Sequence, residues 1–112
     1  MHSFSILTLL VGLIYLLVAF IMKKRPPGQI NRVYGYRTPR SMKNQENWDE
    51  GNRYSTKLLF RFGYSMLLLS VLGQIIPENE SLGFIAGMTC ILGSAFCLIY
   101  FTERHLKKMF EK

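Results

Sequence analysis

Three apolar runs leave this 112-residue chain almost no length from which to build a water-soluble core. Phe4 to Met22 are nineteen consecutive residues without a charge, and Leu82 to Phe101 are twenty more. Leu58 to Ile76 form a third run, broken only by Arg61. A helix needs about 20 apolar residues to cross the hydrocarbon core of a bilayer. We therefore expect an all-α membrane protein forming one domain over residues 1–112. Its transmembrane helices should lie at 4–22, 58–76 and 82–101, with a loop and a polar amphipathic helix at 23–57 extending the second span. The first run is not read as a signal peptide. It opens on Met1-His2-Ser3, without a basic residue, and ends in Met22-Lys23-Lys24-Arg25, a stop-transfer pattern.

Charge placement gives an orientation. The net charge of +7 is concentrated in two places. Lys23 to Lys57 carry nine Lys and Arg against three acids, and the tail after Phe101 carries four against two. The turn Pro77 to Ser81 has none against two. The positive-inside rule then puts the N-terminus outside, the long loop and the tail in the cytoplasm, and the short turn outside. Attraction to anionic headgroups, about 1 kcal/mol per basic residue, accounts for the remaining excess. No nucleic-acid recognition motif accompanies it, so membrane lipids and not nucleic acid are the expected partners.

Each apolar run carries a stripe of small or polar residues at spacings of three and four. The first has Ser5, Thr8, Gly12, Tyr15 and Ala19; the second Gly63, Met66, Ser70 and Gly73, with Gln74 beside them; the third Gly83, Gly87, Cys90, Ser94 and Cys97. Small residues let helices approach closely in lipid, and a mean spacing of 3.5 is that of a left-handed bundle. We read the stripes as packing seams; a ligand channel is the alternative. Cys90 and Cys97 rise about 10 Å apart on one helix, too far for a disulfide with each other, and are read as small packing residues. His2 and His105 should face opposite sides of the membrane and cannot share a site.

The stretch Arg32 to Asn52 is unlike a simple connector, being dense in Arg, Asn, Tyr and Trp. Pro26-Pro27-Gly28 should end the first helix and turn the chain along the membrane surface. Gly35 permits a tight turn. Thr38-Pro39 reads as an N-cap followed by proline at the first helical position. One helix from Pro39 to about Ile76, on the order of 57 Å, is expected. Its first half sorts into two faces. Ser41, Asn44, Gln45, Trp48, Asn52 and Ser55 form an uncharged polar face, in register with Phe62, Gly63, Met66, Ser70 and Gly73. It should therefore face protein or a ligand. Lys43, Glu46, Glu50, Arg53 and Lys57 form a charged face, expected to be solvated and joined by weak pairs such as Asp49–Arg53. Arg61 continues that face and should snorkel to the headgroups.

The run Gly35-Tyr36-Arg37-Thr38-Pro39-Arg40-Ser41-Met42-Lys43-Asn44, with Asn31, Glu46-Asn47-Trp48 and Asn52-Arg53, resembles the SdpI family of bacterial membrane proteins. The flanking apolar runs fit as well, so the resemblance covers about Ile30 to Phe101. The family's name-giving member gives immunity against a secreted toxic peptide and holds a transcriptional repressor at the membrane when toxin is present. The resemblance implies a multi-pass protein of the bacterial cytoplasmic membrane. A toxic peptide and a cytoplasmic regulator would be its partners.

The first functional reading is accordingly a non-enzymatic immunity or signalling protein. The candidate binding residues are Asn31, Tyr36, Arg37, Thr38, Arg40, Asn44, Trp48, Asn52 and Arg53. Arg37 and Arg40 suit bidentate recognition of phosphate or carboxylate, and lipid headgroups equally well. Tyr36 and Trp48 are expected to anchor at the membrane interface, with stacking on a ligand as the alternative. A second reading is a small enzyme or carrier acting on a lipid or amphiphile. No nucleophile–base pair or metal-ligand cluster is visible, so no catalytic residue, cofactor or metal is assigned. A third reading is a structural subunit of a larger membrane complex. A bundle this thin would bury more of its polar surface as a homodimer.

Overall fold

The computed structural model describes residues 2–77 and 79–111. Glu78, one of the two acids in the short turn, and Lys112 in the basic tail lie outside the described residues. Three helices run in chain order, α1 (Ser3–Lys24), α2 (Gln45–Gly73) and α3 (Glu80–Phe110). Each is long and apolar enough to cross a membrane, and the second continues as a polar amphipathic helix beyond its apolar part, as expected. The bundle is 49 Å long, roughly 20 Å more than a hydrocarbon core. The excess length matches the polar part of α2, from Gln45 to Lys57, which continues past the apolar run at the loop end of the bundle.

The helix boundaries depart from the sequence reading in three places. First, α2 does not start at Pro39. Thr38 does act as a cap, its Oγ1 accepting from Ser41 N at 3.1 Å, and Met42 N bonds to Thr38 O at 2.9 Å. That makes a single turn. Asn44 then takes an extended backbone (φ −158°, ψ 174°) and caps a new helix, accepting from Asn47 N. A strong second cap six residues after the first ends one turn and begins another. Second, α2 ends at Gly73, three residues before Ile76, in tight bonds from Gln74 N to Val71 O and Ile75 N to Leu72 O. Third, the basic tail is not a loose extension: α3 runs on through it to Phe110.

The burial pattern is that of a protein dissolved in lipid. Leu13, Leu17, Leu68, Val71, Leu92 and Phe96 are exposed, while Ser5, Thr8, Ser55, Ser70 and Thr102 are buried. Exposed apolar side chains on this scale would aggregate in water; in a bilayer they meet acyl chains. The seams named from sequence are the packed surfaces. Ser5, Thr8, Gly12 and Ala19 of α1 are buried, as are Gly63, Met66, Ser70 and Gly73 of α2. The third stripe is only partly covered: Gly87 is buried, and Cys90, Ser94 and Cys97 are half-buried.

Two contacts show how α1 and α2 meet. Ser5 Oγ donates to Ser70 O at 2.8 Å, and Ser70 Oγ donates back to Ser5 O at 2.9 Å. A Cβ added to Gly63 would lie 2.7 Å from Leu16, and one added to Gly12 would lie 3.0 Å from Gly63 O. The helices touch backbone to backbone there, so no larger residue fits. α1 also holds α3, through Tyr15 OH and Ser94 Oγ at 2.8 Å. Near the loop end, Ala19, Met22 and Leu59 form a small apolar core, with Tyr34, Phe60 and Leu98 packed against it.

Candidate functional site

The polar stretch folds into a compact layer over the loop end. Asn31 begins it. Its Oδ1 accepts from Val33 N at 3.0 Å and Tyr34 N at 2.7 Å, a side chain imitating a turn. Gly35 follows with φ +113°, a conformation that side chains rarely adopt, and a Cβ there would stand 2.6 Å from Asn52 Oδ1. That closeness has a purpose. Asn52 Oδ1 accepts from Tyr36 N at 2.6 Å, while Asn52 Nδ2 donates to Trp48 O at 2.8 Å. Asn52 thus pins the turn to α2, and only glycine leaves room for it.

Trp48 is not an interface anchor. It is fully buried, and its Nε1 donates to Pro27 O at 3.1 Å. The ring fills the centre of the layer and fixes the chain where it leaves α1. Tyr36 is no free anchor either, since its OH donates to Glu103 Oε2 at 2.8 Å. Burial, and then the bond to Glu103, push the Tyr36 phenol well above its ordinary value, so it stays a donor.

Glu103, on the extension of α3, gathers the motif. Its Oε2 also accepts from Thr38 Oγ1 at 2.9 Å, and its Oε1 from Arg40 Nη1 at 3.4 Å. Arg40 does not point to solvent. Besides Glu103 it holds Glu111, with Nε 2.6 Å from Oε2. Ser41 is buried and donates to Tyr36 O at 2.9 Å, closing the loop on itself. Asn47 is buried too, its Nδ2 donating to Arg40 O at 3.0 Å.

A second cross-helix cluster corrects the reading of the charged face. Lys43, Glu46, Lys57 and Arg61 are exposed as expected. Glu50 is not: its side chain is only 14% exposed and meets His105 Nε2 at 2.5 Å. His105 stacks on Tyr54 with ring centroids 4.0 Å apart. Arg53 pairs with Glu50, Nε to Oε1 at 2.7 Å, and not with Asp49. The bond from Arg53, then that from His105, holds the Glu50 carboxyl well below its usual range, at about 2.

The nine sequence candidates therefore fall into groups. Tyr36, Thr38, Trp48 and Asn52 are brought together inside the layer with Arg40 at its edge. Asn31 shapes its entry and Asn44 is an exposed helix cap. Arg53 belongs to the His105 cluster. Arg37 is exposed, its Nη1 donating to Arg32 O. Sequence reasoning missed Glu103, His105 and Leu106, the last fully buried and lying where a Cβ on Gly51 would touch it, at 3.2 Å. A signal was present: Leu98, Thr102 and Leu106 recur at spacing four, continuing the helical stripe through the tail.

A model of the SdpI/YfhL protein family matches residues 28–101. The protein YfhL of Bacillus subtilis (strain 168), itself uncharacterized, is 35% identical over 98 residues, spanning 88% of this chain and 84% of the relative. No solved structure matches. The matched segment contains the polar stretch from Asn31 to Asn52 but stops two residues short of Glu103, the carboxylate that closes the layer.

Proposed function

Since the chain belongs to the SdpI/YfhL protein family, as the match over residues 28–101 and the 35% identical relative show, we propose that it is a non-enzymatic immunity or signalling protein of the bacterial cytoplasmic membrane. It would protect against, or sense, a toxic peptide or a related amphiphile. The observation that carries this reading is the closure of the motif around Glu103. Its carboxylate accepts from three side chains of the motif, Tyr36, Thr38 and Arg40. A general acid or base needs reach to a substrate; here the polar groups hold a platform. That platform presents Arg32, Arg37, Lys43 and Glu46 to solvent, a surface suited to a regulatory partner.

The loop end faces the cytoplasm in this proposal, on the charge bias of its segments. In a variant without Cys90 and Cys97, an impermeant thiol reagent on intact cells should label Glu80→Cys and spare Glu46→Cys; the reverse pattern inverts the orientation. The functional test is expression in cells lacking immunity, challenged with the secreted toxic peptide of the family's name-giving member. Survival with the wild-type chain and its loss with Asn52→Ala are expected. Sensitivity of cells that carry the wild-type chain in the membrane at normal levels would rule out protection against that peptide.

A further inference from the structure

Where α1 leaves and α2 enters the apolar zone, the two helices stand apart around an open cleft of about 530 Å³. That size is within the range of small-molecule sites. Three cations line it, Lys23, Arg53 and Lys57, against one carboxylate, Asp49. Asp49 Oδ1 already accepts from Gln45 Nε2 at 2.7 Å. Arg53 engages Glu50 through Nε and Nη2, which leaves Nη1 for another acceptor. Among the described residues neither Lys23 nor Lys57 forms an ion pair. Glu50 offsets Arg53, and Asp49 counts against the two lysines, which leaves the cleft with a modest positive excess.

Its position says what kind of anion fits. Lys23 directly follows Met22, the last residue of the first apolar run, and Lys57 directly precedes Leu58, the first of the second. The two ammonium groups thus mark the level at which hydrocarbon gives way to headgroups. Met22 and Phe60 line the same cleft from the apolar side. Lys23 Nζ lies over the Phe60 ring, 5.8 Å from its centroid, which places the cation at the cleft wall while its side chain stays exposed. A cavity with cations at one level and apolar walls beneath, open to the bilayer border, is complementary to an anionic amphiphile.

We propose that this cleft is a binding site for one anionic phospholipid from the surrounding leaflet. Its phosphate sits between Lys23 and Lys57, with Arg53 Nη1 in reach, and the first methylenes of its chains lie against Phe60 and Met22. The site is distinct from the Glu103 layer, sharing with the motif only the Asn52–Arg53 edge. It stands without the immunity reading, because nothing in it requires a toxin.

The test uses the full chain, purified in a neutral detergent and titrated with lipid by native mass spectrometry. Phosphatidylglycerol should saturate at one retained molecule per chain. Phosphatidylcholine, lacking net charge, and glycerol 3-phosphate, lacking chains, should each bind at least about tenfold more weakly. Lys23→Gln with Lys57→Gln should weaken phosphatidylglycerol by about thirtyfold, at about 1 kcal/mol per lysine. Lys24→Gln with Lys43→Gln removes two exposed cations from the same end without touching the cleft, and should change affinity less than about threefold. These substitutions are at exposed positions, so the variants should fold. Thr56→Leu keeps every charge but fills the cleft, and should also lower affinity at least fivefold. Equal losses in the two double variants, or binding without saturation, would reduce the effect to diffuse surface attraction and overturn the proposal. Equal binding of glycerol 3-phosphate would make it a phosphate site, and equal binding of phosphatidylcholine an apolar groove; either result refutes an anionic-lipid site.

Discussion

The two halves of this bundle hold the same three helices by different chemistry. Along the apolar spans, α1 and α2 meet through glycine and serine: Gly12 against Gly63, and the reciprocal Ser5–Ser70 bonds. At the loop end the helices are tied by long side chains across gaps: Tyr36, Thr38 and Arg40 to Glu103, and Glu50 to His105. The contrast follows from the solvent. In lipid there is no hydrophobic gain from association, so close approach and local hydrogen bonds must suffice. Outside lipid, water competes for every polar group, and the buried members of the layer are held by bonding to one another, Asn47 Oδ1 alone among the buried side-chain polar atoms of the described residues lacking a partner. The polar richness of the motif is therefore first of all architecture.

That comparison can be attacked from its strongest point downward, using unfolding of the purified chain in detergent as the measure. Trp48→Ala empties the centre of the loop-end layer and should cost the most, about 3–5 kcal/mol; a loss under 1 kcal/mol would mean that the layer does not depend on its core. Asn52→Ala removes the partner of Tyr36 N and should cost about 1–3 kcal/mol. A smaller effect is expected from acid, because the main partner of Glu50, Arg53, is more than half exposed and water screens its pull. Glu50 is held below its ordinary 4.5, at about 2. Its contribution is complete above the ordinary value and disappears as pH falls from about 4.5 toward 2. Stability should decline across that window in the wild type and decline less in Glu50→Gln; parallel curves would remove Glu50 from the tie. The seam should be weaker still. Ser5→Ala with Ser70→Ala should cost about 1 kcal/mol, from roughly 0.6 kcal/mol per interhelical bond. A loss equal to that of Asn52→Ala would erase the distinction between the halves. Glu46→Ala, on an exposed side chain, should stay within about 0.5 kcal/mol.

Much of this was readable in the chain. The three spans and the seams of α1 and α2 follow from hydropathy and spacing, because those properties are local to each helix. The polar face ending in Trp48, Asn52 and Ser55 follows from 100° steps for the same reason. The start of α2 was not legible. Thr38-Pro39 is a sound helix signal, and it does produce one turn, but Asn44 recaps the chain and sequence does not say which cap wins. Glu50 was placed on the solvated face because periodicity orders residues around one helix without saying what covers them; α3 covers Glu50. The role of Glu103 was hidden by separation. Its partners lie more than sixty residues away, and within its own segment it reads as one charge in a basic tail.

The closure of the layer by Glu103 and Leu106 also sets an order of events. The ribosome makes α1, the loop and α2 before it makes Glu103 and Leu106. During that interval Tyr36, Thr38 and Arg40 have no carboxylate to hold, and Gly51 has no Leu106 to lie against. Until then the motif lacks the contacts that close it. Those contacts form only once the second half of α3 has been made, so the most heavily hydrogen-bonded part of the molecule depends on the last of its three helices.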